Sequence, residues 1–225
     1  MSSSTSTSLA DLAPALESLP LFPLPQTVLF PEAIVPLHIF EPRYRAMVRD
    51  ALETHQALAV VLLTDPGRAF EGDEDALPPI ASIAGVGVIV DHAELPGGRY
   101  NILLRGRARV RLRELPFVPP YRRAAAEILS TDATRVPVSE LSALISAATA
   151  FSSVVRERDK TFEFRLPRDA PEGTIADLCA HYLILDARER QAILETLDPV
   201  ARVRRATQVL AVQRLTLAPE HGAMN

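Results

Sequence analysis

Tryptophan is absent from this 225-residue chain, and cysteine and lysine occur once each, as Cys179 and Lys160. One cysteine excludes an intramolecular disulfide and the metal sites built from two to four thiolates. One lysine excludes any mechanism that needs a second; the other 23 of the 24 basic residues are arginines. Aromatic residues make up only 5% of the chain, too few to interleave with basic side chains as a stacking platform for single-stranded nucleic acid. Neither sign of charge dominates, with 24 basic and 28 acidic residues and a net charge of -4. That balance provides no global attraction to nucleic acid or to an anionic membrane, so any basic feature has to be local. No apolar stretch approaches the roughly 18 residues expected of a membrane span. The Ser/Thr tract from Met1 to Ala10 has neither a basic start nor an apolar core and does not read as a secretory signal. A cytoplasmic protein is the expectation.

What is present is a core. Hydrophobic residues make up 48% of the chain, enough for one large domain or two small ones. Residues 1–17 read as a flexible lead, or at most a loose helical lead-in. Leu19 to Pro25 is too rich in proline for a helix or a central strand and reads as an edge strand and turn. Two short strands are expected between Val28 and Phe40. Pro42 suits the first turn of a helix, and Tyr44, Met47, Val48 and Ala51 recur at helical spacing, which predicts a helix over 42–54. Leu58 to Leu63 reads as a strand and 65–79 as an acidic loop. Val86–Asp91 and Tyr100–Arg113 flank Gly97-Gly98 and predict a hairpin, with a further strand over Tyr121–Leu129.

After Pro137 the apolar period changes from two to 3.6. Leu141, Leu144, Ile145, Ala148, Phe151 and Val155 mark one face of a long helix. Thr174 with Asp177, Asp186 with Glu189, and Asp198 before Pro199 are expected to open three more. Strands followed by helices predict an α+β chain, with a β-rich domain over 18–132, a helical domain over 137–217 and a flexible tail over 218–225.

Several stretches resemble a known family. Leu19-Pro-Leu-Phe-Pro-Leu-Pro-Gln-Thr-Val-Leu-Phe-Pro31, followed by Leu37-His-Ile-Phe-Glu-Pro-Arg-Tyr-Arg-Ala-Met-Val48, is similar to the opening of the substrate-binding domain that Lon proteases carry at their N-terminus. Gly85-Val-Gly87-Val-Ile, Gly98 to Gly106, and Tyr121-Arg-Arg-Ala resemble its later strands. Asp177-Leu-Cys-Ala-His, Arg190 to Asp198, and Ala201-Arg-Val-Arg resemble its helical part. Each motif is weak by itself, but their shared order over about residues 18–215 is specific.

The resemblance implies a PUA-like β-barrel followed by a helical bundle, and a role in binding substrate polypeptides. The chain ends at Asn225, and none of its nine glycines is followed by the lysine of a phosphate loop. The expectation is therefore a free-standing form without the ATPase and serine–lysine protease of full Lon, non-catalytic and without a cofactor. Nothing around Lys160 resembles the family's catalytic segment.

Other chemistries find no support. His38, His55, His92, His181 and His221 share no spacing that places two metal ligands on one helix face. His92-Ala-Glu94 lacks the cysteine pair of a zinc deaminase. Asp91 and Glu94 read as a solvated hairpin, Gly85-Val-Gly87 as a bulge or close packing, and Cys179 as a core residue. Two groups remain. Phe22, Phe30, Phe40 and Tyr44 cluster in the strongest family segment, where they either fasten the first helix or line an apolar groove for polypeptides. Glu41, Arg43 and Arg45 beside them read as structural. Arg105, Arg107, Arg109 and Arg111, with Arg113, alternate along one strand. They form either an anion-binding face or a solvated one paired with nearby carboxylates.

The preferred function is an adaptor or chaperone-like polypeptide-binding module in protein quality control, with a protease or chaperone as partner. The alternative is an RNA-binding protein that uses the barrel and the Arg105–Arg113 strand.

Overall fold

The computed structural model describes residues 9–65, 77–167 and 169–217. Most of the acidic loop expected over 65–79, the first eight residues and the 218–225 tail lie outside them. The chain divides into two units, Met1–Ser130 and Thr131–Asn225.

In the first unit a 3-10 helix, Leu9–Glu17, precedes β1 (Leu19–Leu24), β2 (Ile34–Ile39), α1 (Pro42–Glu53), β3 (Ala57–Leu62), β4 (Ile83–Leu95), β5 (Arg99–Glu114) and β6 (Arg123–Leu129). Over its second half the expected lead takes the helical alternative of that reading. Leu12 and Ala15 of the 3-10 helix are buried, and apolar burial holds a segment that composition alone marks as loose.

The strands form one mixed sheet in the order β2-β5-β4-β3-β1-β6. Because β6 pairs with β1 at its start and with β5 along the rest, the pairings run β5-β4-β3-β1-β6 and return to β5. β2 pairs with the first half of β5. β3 is buried along all six residues, which suits a strand flanked by β1 in parallel and β4 in antiparallel.

β1 is more than the edge strand expected of it. The Leu21 N–H donates to the Arg122 carbonyl at 2.9 Å, whereas the Leu24 carbonyl accepts from Leu63 N–H at 3.0 Å. Alternate residues face opposite neighbours, so Pro23 faces away from β3 and its missing donor costs no ladder bond there.

Only one of the two strands expected between Val28 and Phe40 forms. Val28, Leu29 and Phe30 are buried outside the ladder and cross over glycines. A side chain at Gly85 would meet the Leu29 carbonyl oxygen at 1.9 Å, and one at Gly106 would meet that of Phe30 at 1.9 Å. Gly85-Val-Gly87 is therefore a place of close backbone approach. β4 runs four residues past its expected end at Asp91, because the hairpin pairing continues to Leu95↔Arg99. Gly97 and Gly98, at φ 82° and 69°, make its turn. α1 buries Tyr44, Met47, Val48 and Ala51 against Leu29, Leu58, Ile102 and Leu104.

The second unit contains α2 (Val138–Arg158), α3 (Glu172–Leu183), α4 (Ala187–Glu195) and α5 (Pro199–Leu217). α2, α3 and α4 each pack on α5, which buries Arg202, Val203, Ala206 and Leu210. The expectation that no segment reaches membrane-span length does not hold for α2. Its 21 residues include a window of mean hydropathy 1.5 that meets the requirement by length and composition. One such helix is weak evidence of a span; 22% of the window is buried, with Leu144, Ala148 and Phe151 inside its own unit.

Asp186 caps α4, accepting from the N–H groups of Arg188 and Glu189 at 2.8 and 2.9 Å. Asp198 does the same for Val200 and Ala201 of α5. Thr174 does not cap α3. That helix starts at Glu172 behind Pro171, and Asp177 is buried as the partner of Arg202.

Candidate functional site

Three segments distant in sequence converge on one side of the first unit. The end of β1 contributes Phe22 to Pro25. The β2–α1 junction contributes Leu37, His38, Phe40, Glu41, Arg43 and Tyr44. The β5–β6 connection contributes Phe117, Pro120, Tyr121 and Arg122. With Leu63, Leu77 and Pro78 they line a largely apolar groove of about 640 Å³, within the usual size of a ligand cleft.

Phe22 and Tyr44 form its floor, with ring centroids 4.6 Å apart and planes at 60°, an edge-to-face pair. Phe40 stands at the rim, 60% exposed, and Phe117 and Leu77 are exposed nearby. The His38 ring stacks beside Phe40 at 6.1 Å and is held by the Asn101 side-chain oxygen, 2.7 Å from Nδ1.

The charges in the lining are satisfied locally. Arg43 pairs with Glu41 at 2.8 Å and lies 4.6 Å over the Tyr44 ring. Arg122 is buried, pairs with Glu114 and donates to the Pro78 carbonyl at 2.6 Å. The Tyr121 hydroxyl donates to Asp50 at 2.7 Å. Burial, with that hydrogen bond, pushes Tyr121 up to about 12, and burial also raises Tyr44. Both phenols therefore stay protonated at neutral pH and serve as walls.

Three of the four aromatic candidates meet here and one does not. Phe22 and Tyr44 form the floor and Phe40 is the accessible ring. Phe30 lies fully buried elsewhere, with the Arg109 guanidinium 6.0 Å over its face. Phe117, Leu77 and Tyr121 were absent from the sequence-derived set. For Phe117 the local signal is Leu115-Pro-Phe-Val-Pro-Pro-Tyr121, an apolar stretch with too many prolines for regular structure.

The arginine stripe is not a continuous open face. Arg105 pairs with Glu32, and Arg111 lies 3.7 Å from Glu127 on β6. Arg109 is buried and Arg107 half-buried. Cys179 is buried, and burial pushes its thiol up to about 12, leaving it an unreactive core residue. Among the described residues no group of three or more metal-ligating side chains comes together.

A six-stranded sheet unit with a largely apolar groove, and a unit of helices, make this a mixed α+β protein. The chain belongs to the family of the ATP-dependent protease La (LON) substrate-binding domain, whose model matches residues 18–212. It is 32% identical over 202 residues to a Lon protease of the bacterium Roseiflexus castenholzii, covering 88% of this chain and 24% of that protein. It is 26% identical over 197 residues to a Lon protease of Dictyoglomus thermophilum, covering 86% and 24%. The chain thus spans about a quarter of the length of these curated relatives.

Among solved structures, the Lon N-terminal domain protein from Xanthomonas campestris matches with a TM-score of 0.59 and 26% identity, over 86% of this chain and 97% of that one. The N-terminal domain of Mycobacterium avium complex Lon protease shares the fold at a TM-score of 0.60 and 16% identity, over 86% and 98%.

Proposed function

We propose that this chain is a non-catalytic polypeptide-binding module whose groove holds exposed apolar segments of other proteins. In this reading it is an adaptor or chaperone-like component of cytoplasmic protein quality control, working with a protease or chaperone. The observation that carries the reading is an exposed Phe40 above the buried Phe22–Tyr44 pair, in a lining whose charges neutralise one another. The description of the family as a substrate-binding domain supports it. The circuit of pairings that returns to β5 supports reading the sheet as the PUA-like barrel.

The test is fluorescence anisotropy of the whole chain with labelled, reduced and carboxymethylated α-lactalbumin as the unfolded probe, at low and high salt. Binding is expected to persist at high salt, because screening removes exposed charge contacts and leaves apolar ones. Phe40→Ser is expected to weaken it about tenfold, roughly 1.4 kcal/mol, as loss of an aromatic anchor does. No binding to the unfolded probe, or salt-sensitive binding of a structured RNA alone, overturns the reading.

A further inference from the structure

The groove opens along a seam between two strands that do not pair. Among the described residues β2 has one ladder, to β5, and none joins it to β1. The phase of β2 follows from its entry. Glu32 N–H donates to the Gly106 carbonyl at 2.9 Å, and Gly106 N–H donates to the Ala33 carbonyl at 2.8 Å. Ala33 therefore faces β5. Backbone groups alternate sides along a strand, so Val35, Leu37 and Ile39 also face β5, and Pro36 and His38 face away. Pro36 thus stands where its missing N–H removes no ladder bond, as Pro23 does on the outer side of β1.

The resulting edges are rich in acceptors. The Pro23, Pro36 and His38 carbonyls face outward, with the His38 N–H as donor between them.

We propose that the groove takes its occupant as an added β-strand, an uncharged extended polypeptide segment hydrogen-bonded to the free edge of β2 at Pro36 and His38. This rests on the polypeptide-binding reading above. Charge matching selects the occupant. Arg43 is neutralised by Glu41 and Arg122 by Glu114, so among the described residues of the lining a charged segment finds no unneutralised counter-ion. An extended chain brings unused N–H donors to the outward carbonyls and turns every second side chain toward Phe22, Leu37 and Tyr44. A helix has already spent its backbone donors internally and leaves the edge unpaired.

The test uses the whole chain and a fluorescein-labelled ten-residue peptide of Val, Thr and Phe, with a series carrying one N-methylated backbone amide at each position. N-methylation at every second position of the bound stretch is expected to weaken binding about tenfold, with about twofold or less at the positions between. His38→Pro, which removes the amide, is expected to weaken binding about tenfold, and at least about threefold more than His38→Ala, which keeps the amide and loses only the ring. Circular dichroism checks that both variants fold, and the N-methyl series stands without them.

Binding that Phe40→Ser weakens but N-methylation does not, at any position, overturns strand addition and leaves polypeptide binding intact. No binding by either the peptide or unfolded α-lactalbumin overturns both.

Discussion

Asp177 and Arg202 meet inside the helical unit, with Oδ1 and Nε 3.2 Å apart and both side chains almost wholly buried. Arg202 also donates to the Thr196 and Leu197 carbonyls at 3.0 and 2.8 Å. It therefore ties α3, α5 and the α4–α5 connection together. Arg202→Met leaves a buried carboxylate without its counter-charge and is expected to cost about 3–5 kcal/mol of stability. The double variant with Asp177→Leu is expected to recover most of that, since well-packed apolar pairs often replace buried ion pairs without loss. Urea denaturation followed by circular dichroism reads both. Neither residue carried this role in the sequence, where Asp177 has the spacing of a helix cap. Phe30 and Phe40 are equally alike at that level, each following an apolar residue in a proline-rich stretch. Only the crossing of Phe30 over Gly106 buries the first ring and leaves the second at the groove rim.

At the scale of elements, the signals that held are those whose physics is local. A cap is a contact between a side chain and an amide two or three residues on, so the roles of Asp186 and Asp198 were legible. Asp198→Ala is expected to cost about 1 kcal/mol, as loss of an N-cap does. Thr174→Ala is expected to change stability by less than about 0.5 kcal/mol, because Thr174 caps nothing. Chemical denaturation of the two variants side by side checks the contrast. The long β4 was not legible beyond Asp91. Asp91, His92, Ala93 and Glu94 are all exposed, so no alternation marks them, and their strand geometry comes from pairing with β5. The seam beside β2 was hidden for a related reason, since a free edge is defined by which neighbours fail to arrive.

For the molecule as a whole, the core around Phe22, Leu29, Met47, Leu58, Ile102 and Tyr121 is built from the first unit alone. A fragment of residues 9–130 is therefore expected to unfold cooperatively on heating, since on the order of 120 residues can bury a stable core. It is also expected to bind the unfolded probe within about threefold of the whole chain, because every groove residue lies in it. Thermal circular dichroism and anisotropy on the fragment check both expectations. The sequence by itself determined the succession of strands and helices, two helix caps and, through several weak motifs in order, the family. Periodicity and capping act between residues a few positions apart, and they survive in a one-dimensional reading. Tertiary structure decided which aromatic ring stays accessible, which arginines are neutralised and where two strands remain unpaired. Exposure and charge balance at one residue depend on what distant segments place beside it, and only the folded chain brings those segments together.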